Sequence, residues 1–126
     1  MTRRLIMFLL AVLLAHWVFK VDEPTAERKP VEHVWTVKDS KSYARDALYH
    51  WADKQYICLS KLWGKESAWN HNADNPESSA YGIAQVLNTK EGTPAPLQIE
   101  KGLAYIAHRY DRPSAAWSHW RKHGWY

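Results

Sequence analysis

Cysteine is almost missing from this chain of 126 residues. Cys58 stands alone, so an intramolecular disulfide is excluded. Its neighbours Tyr56, Ile57, Leu59 and Leu62 are apolar, which reads as a buried, inert thiol. A nucleophilic cysteine would need a basic partner, and none is nearby. Also missing is any Lys/Arg-rich run, although the formal net charge is +4 and the pI about 9.2. A basic balance attracts polyanions, whether wall polymers, membrane surfaces or nucleic acid. Without a basic run, nucleic acid is the weakest of the three, and no nucleic-acid partner is expected. There are no internal repeats and no low-complexity tracts. Among seven histidines, His119 and His123 have the i, i+4 spacing of a metal pair. No Glu follows His119 as in a zinc protease, and no third ligand is evident. The pair reads as a surface feature, and no metal is expected there.

What the chain has in excess is aromatic rings, with eight Trp and seven Tyr. Most should fill the core of a small domain, and sugars also stack on such rings. The length allows one domain. Residues 1–20 stand apart: Arg3 and Arg4 precede an apolar run over residues 5–19, broken only by His16. That is the layout of a secretory signal peptide. No small-x-small cleavage site follows, and no lipoprotein cysteine. As a helix the run would extend roughly 22 Å at about 1.5 Å per residue, short of a ~30 Å hydrocarbon core. The expectation is an export signal that can stay as an anchor, with Trp17 and Lys20 as interfacial collar and the Arg pair keeping the N-terminus inside. The domain would then act outside the cytoplasm, periplasmic or extracellular, with membrane contact through residues 5–19. A competing reading packs this run into the domain core. Residues 21–39, with Pro24 and Pro30 and charges of both signs, read as a linker.

The domain is expected over residues 40–126, mainly α, in about five short helices. Ser40 or Ser42 can cap the first, with Tyr43, Ala47, Leu48 and Trp51 as its apolar stripe. The second helix is expected over residues 56–66. A polar loop over 71–80 carries the turn signal Asn75-Pro76 and would hold any small hairpin. Residues 82–87 read as a short helix and 88–96 as a loop. Residues 97–110 are amphipathic, with Ile99, Leu103, Ile106 and Tyr110 in register. Pro113 can open a last helix carrying Ala116, Trp117 and Trp120.

The chemistry concentrates at Trp63-Gly64-Lys65-Glu66-Ser67-Ala68-Trp69-Asn70 and at Tyr81-Gly82-Ile83-Ala84-Gln85. Glu66 falls in the last turn of an apolar helix, flanked in sequence by Trp63 and Trp69. Apolar walls disfavour a charged carboxylate, and so does the negative end of a helix. Both push its pKa up, as general acid work near neutral pH requires. The bland alternative is a solvated glutamate at a helix end. Asp74 and Glu77 are candidates for a second carboxylate, as inverting or retaining glycosidases need, or else solvated loop residues. Ser67 has no His/Asp relay and suits hydrogen bonding near Glu66 or to a sugar.

The ordered set Glu66-Ser67-x-Trp69-Asn70 and Gly82-Ile83-Ala84-Gln85, followed by Gly102-Leu103-x-Tyr105-Ile106, Arg109-Tyr110, Ala116-Trp117 and Gly124-Trp125-Tyr126, resembles the lytic transglycosylases of the SLT or goose-lysozyme-like family. The closest look is to short forms related to aggregation-promoting factors and phage muralytic domains. The resemblance runs from about residue 40 to the end of the chain. It implies a small lysozyme-like helical domain with Glu66 as catalytic acid. Gln85 would line the sugar cleft, with Ser67, Trp69, Tyr81, Tyr105 and Tyr110 as further substrate-binding candidates. It also implies a reaction in which one glutamate acts twice. As acid it protonates the oxygen between N-acetylmuramic acid and N-acetylglucosamine. As base it deprotonates the muramic 6-hydroxyl, which closes a 1,6-anhydro ring. Assistance from the N-acetyl group explains how one carboxylate suffices.

Larger members carry an Ala-Tyr-Asn element in a late helix. Here the counterpart is Ala116-Trp117-Ser118, and Tyr105 or Tyr110 would have to reach the cleft instead. Two other functions stay open from the sequence. One is a lysozyme-type hydrolase using water. The other is a catalytically weak wall-binding module, such as a virion or envelope component.

Overall fold

The computed structural model describes residues 29–126. The export or anchor segment expected at residues 1–20 and the linker residues 21–28 lie outside the described residues. Residues 29–33 are exposed and outside any regular element, and residues 34–126 form one compact unit. That unit is mainly helical: α1 Val37–Ala47, α2 Asp53–Ser67, α3 Ala95–Tyr110 and α4 Pro113–His123. No helix among the described residues is long and apolar enough to cross a membrane.

The first helix starts earlier than expected because a better cap precedes it. Thr36 and Asp39 form a reciprocal capping box: the Asp39 N–H donates to Thr36 Oγ1 at 3.2 Å and the Thr36 N–H to Asp39 Oδ2 at 2.8 Å. Ser40, expected as a cap, is fully buried instead and accepts a hydrogen bond from Trp35 Nε1 at 2.7 Å. The buried stripe is therefore Ser40, Ala44 and Leu48, at i, i+4 and i+8. Ala47 faces solvent, and Trp51 lies beyond the helix and is exposed.

Helix α2 begins three residues before the expected Tyr56, with Asp53 in its first turn, where the helix dipole favours a negative charge. It buries Cys58, Leu59, Leu62 and Trp63 on one face and leaves Ile57 half exposed. Both later helices carry proline in their first turn, where a missing N–H costs nothing. Helix α2 packs most extensively on α4, while α3 contacts both α1 and α4. The core between them includes Leu59, Leu62, Trp63, Trp69, Ile83, Ile99, Ile106 and Ala116. Gly102 permits a close approach of α3 to this core. A Cβ there would stand 2.5 Å from Ala84 Cβ and 2.6 Å from the Trp63 ring.

The long connection between α2 and α3 contains no strand. Tyr81 makes two isolated antiparallel bridges, to Asp74 and to Val86. The short helix expected over residues 82–87 is a tight turn instead. Gly82 has φ +84° and Gln85 φ +52°, left-handed values that a right-handed helix cannot contain. Gln98 holds this turn from α3. Its buried amide accepts the Ile83 N–H at 2.9 Å and donates to the carbonyls of His71 and Thr93, each at 2.8 Å. One side chain thus ties three points of the connection to a helix.

Candidate active site

The last turn of α2 and the 82–85 turn meet through Ser67. Its hydroxyl donates to the Ile83 carbonyl at 2.6 Å and lies 3.3 Å from the Trp63 carbonyl. Both acceptors are backbone, so Ser67 is a brace for the cleft and does not line it. Beside this joint opens a cavity of about 590 Å³, within the range of small-ligand sites. Its lining includes Glu66 from α2, Asn75 and Ser78 from the loop, Gln85 and Val86 from the turn, Tyr105 and Arg109 from α3, and Trp125 and Tyr126. Glu66 is the single side-chain carboxylate in that lining among the described residues. Asp74 and Glu77 are exposed and do not border it.

Glu66 is half-buried and accepts a hydrogen bond from Trp120 Nε1 to Oε1 at 3.0 Å. Burial raises its pKa above the ordinary 4.5, and the Trp120 bond, which favours the charged form, opposes this only in part. The carboxyl is thus disposed to hold a proton, yet keeps a fixed donor for its ionised state. The indole also fixes the side chain, leaving the second oxygen as the one a substrate would use.

The aromatic surroundings of Glu66 differ from those expected. Trp63 and Trp69 are core residues, 0% and 2% exposed, with ring centroids 5.2 Å apart in an edge contact. Trp69 Nε1 donates to the Ser60 carbonyl at 3.1 Å. With no open face, Trp69 is not available to stack on a ligand. Tyr81 is likewise buried, with its hydroxyl 3.4 Å from Asn72 Oδ1, and borders a separate, shallower depression. Both are substrate-binding candidates from the sequence, and neither borders the cavity that holds Glu66.

Gln85 does border the cavity with Glu66. Its Nε2 donates to the Gly82 carbonyl at 2.8 Å and to the Ala73 carbonyl at 3.0 Å. These two bonds hold a residue whose own backbone is left-handed, a strained conformation of the kind found at functional sites. Tyr105 borders the cavity as well, its ring 5.4 Å from Tyr126 and 6.4 Å from Tyr110. Tyr110 stands behind them, outside the lining. Burial raises its pKa, against the pull of the nearby Arg109 guanidinium, but its hydroxyl makes no hydrogen bond of good geometry.

Three residues at this site carry roles not assigned to them from sequence. Trp120 holds the acid. Tyr126 closes the floor: its hydroxyl accepts from Trp63 Nε1 at 3.0 Å and donates to the Ala84 carbonyl at 2.5 Å. Burial, with a smaller push from the Glu66 charge, raises the Tyr126 pKa far above its usual value, so the phenol stays neutral. Arg109 supplies the cavity's cation. The terminal aromatic segment was the available signal, but its direction depended on how α4 packs. The His119 and His123 rings lie 4.3 Å apart, tilted by 38°, and no group of three potential metal ligands occurs among the described residues.

No protein-family model, curated protein or solved structure matches this chain.

Proposed function

We propose that this protein is a peptidoglycan lytic transglycosylase with a lysozyme-like helical domain. It would cleave the β-1,4 bond between N-acetylmuramic acid and N-acetylglucosamine with Glu66. The observation that carries the reading is a lone, half-buried glutamate with a raised pKa, bordering the same cavity as Gln85. Protonated Glu66 gives its proton to the glycosidic oxygen as the bond from C1 to that oxygen breaks. The resulting carboxylate, still held by Trp120, takes the proton of the muramic 6-hydroxyl. That oxygen bonds to C1 and closes the anhydro ring, and Glu66 is protonated again. Proton and bonds balance without water or a cofactor. Among the described residues the cavity is lined by one side-chain carboxylate. That favours this course over hydrolysis by a two-carboxylate mechanism, which needs a partner about 5–9.5 Å away.

The substrate lies outside the cytoplasmic membrane, so the reading includes export through residues 1–20, with the domain periplasmic, extracellular or membrane-tethered. Mass spectrometry of muropeptides released from purified sacculi is the test. Transglycosylation yields ends lighter by one water than hydrolysis yields. Glu66→Gln should reduce release by at least about a hundredfold while wall binding persists. Undiminished release by that variant would refute the assignment. Sedimentation with sacculi and no release by the unmutated protein would favour a wall-binding module.

A further inference from the structure

Among the described residues Arg109 is the one cation bordering the cavity, and its setting differs from that of a surface arginine. Its guanidinium lies over the Tyr110 ring at 5.7 Å and over the Trp125 ring at 5.5 Å. Two aromatic faces therefore hold the guanidinium. Trp125 is itself held by His119, with ring centroids 4.5 Å apart. The side chain is nonetheless exposed and makes no ion pair with a carboxylate among the described residues. Nor is it the counter-charge of Glu66, whose pKa is set by burial and by Trp120. A guanidinium seated beside two aromatic rings can still present its N–H fork to a planar, bidentate acceptor. In a cavity that also holds the acid, such a group recognises a feature of the substrate.

We infer that Arg109, braced by Tyr110 and Trp125, is a specificity-determining residue that binds a carboxylate of the glycan substrate, so that the cleft selects acidic over neutral aminosugar chains. This rests on the peptidoglycan reading for the identity of the acid. That carboxylate is either the lactyl group of muramic acid or a free carboxylate of its stem peptide. Neutral N-acetylglucosamine polymers offer neither.

The test is a binding measurement that needs no turnover. The full chain is titrated calorimetrically with three ligands. The first is N-acetylglucosaminyl-N-acetylmuramic acid with a free lactyl carboxylate. The second is its methyl ester. The third is the same disaccharide with an alanyl-isoglutamine stem, in which the lactyl carboxyl is an amide and the free carboxylate lies on the peptide. At least one acidic ligand should bind about tenfold or more tighter than the ester, and whichever does identifies the source. Arg109→Gln should bring the acid-to-ester ratio close to one. Arg109→Lys, with charge but no fork, should restore it only in part. A merely structural arginine would weaken all three ligands alike. Equal binding of acids and ester by the unmutated protein, or an unchanged ratio in Arg109→Gln, overturns the inference. An intact ratio with no cleavage of sacculi would uphold Arg109 and refute the transglycosylase reading instead.

Discussion

Gly82→Ala should be among the most damaging small substitutions in this domain. A Cβ on Gly82 would lie 2.1 Å from Gln98 Oε1, 2.4 Å from its Cδ and 2.8 Å from its Nε2. A long side chain can usually swing away, but this one is held by three hydrogen bonds, to Ile83, His71 and Thr93. Displacing it forfeits those bonds, at a net cost of about 1 kcal/mol each. The alanine must also adopt φ +84°, which adds about 1–2 kcal/mol. Together these reach about 4–5 kcal/mol, against a total of about 5–15 kcal/mol for a typical domain. Gln98→Ala alone loses the same three bonds and leaves a small void, for about 3–4 kcal/mol. Once Gln98 is gone, Gly82→Ala should cost only its backbone strain. The double variant should therefore be less destabilised than the additive sum by about 3 kcal/mol. Urea unfolding followed by tryptophan fluorescence measures all four corners of the cycle. Additive costs would refute the claim that the two positions share one set of contacts.

Three further outcomes follow from the site and its supports. Burial raises the Glu66 pKa above 4.5, so folding loses stability as pH rises from there through the folded-state value; Glu66→Gln, freed of this penalty, should melt higher than the unmutated protein at neutral pH, with the gap closing below pH 4.5, and a constant gap across thermal melts from pH 3 to 8 would contradict it. Tyr126→Phe removes the hydroxyl between Trp63 Nε1 and the Ala84 carbonyl, so it should cost about 1–3 kcal/mol in denaturant unfolding; no loss would show that this link is not part of the fold's stability. A fragment of residues 34–126 should be more stable than one of residues 40–126, because the longer keeps the Thr36–Asp39 box and the Trp35–Ser40 bond; the cap is worth about 1 kcal/mol, and equal melting temperatures would count against it.

Periodicity, capping and proline placement are local properties, and they were legible in the residues themselves. They located α2, α3 and α4 to within a few residues, and they put Glu66 in the last turn of an apolar helix. The start of α1 was missed because a capping residue can be chosen only when the competing side chains are seen. Ser40 turned inward to Trp35, and Thr36 took the cap. The turn at residues 82–85 read as helix because its left-handed backbone depends on Gln98, thirteen or more residues away.

The identity of the acid is a one-residue fact, and the sequence alone determined it as a candidate: an ionisable group near the end of an apolar helix stands out in any context. Which aromatic rings surround that acid is a different kind of fact. Trp69 lies three residues from Glu66 but points into the core, while Trp120 is 54 positions away and donates to it. Helix periodicity carries Trp63 to the buried face of α2, and the left-handed residues Ala68 and Trp69 turn the chain back inward. Packing of α4 against α2 then brings Trp120 to the carboxylate, and the chain end returns Trp125 and Tyr126 to the cavity. Proximity along the chain fixes what lies next to a residue, but side-chain direction and helix packing decide what touches it. For that reason the candidate acid was visible in the sequence, while its partners, the brace role of Ser67 and the aromatic seat of Arg109 were decided only by the tertiary structure.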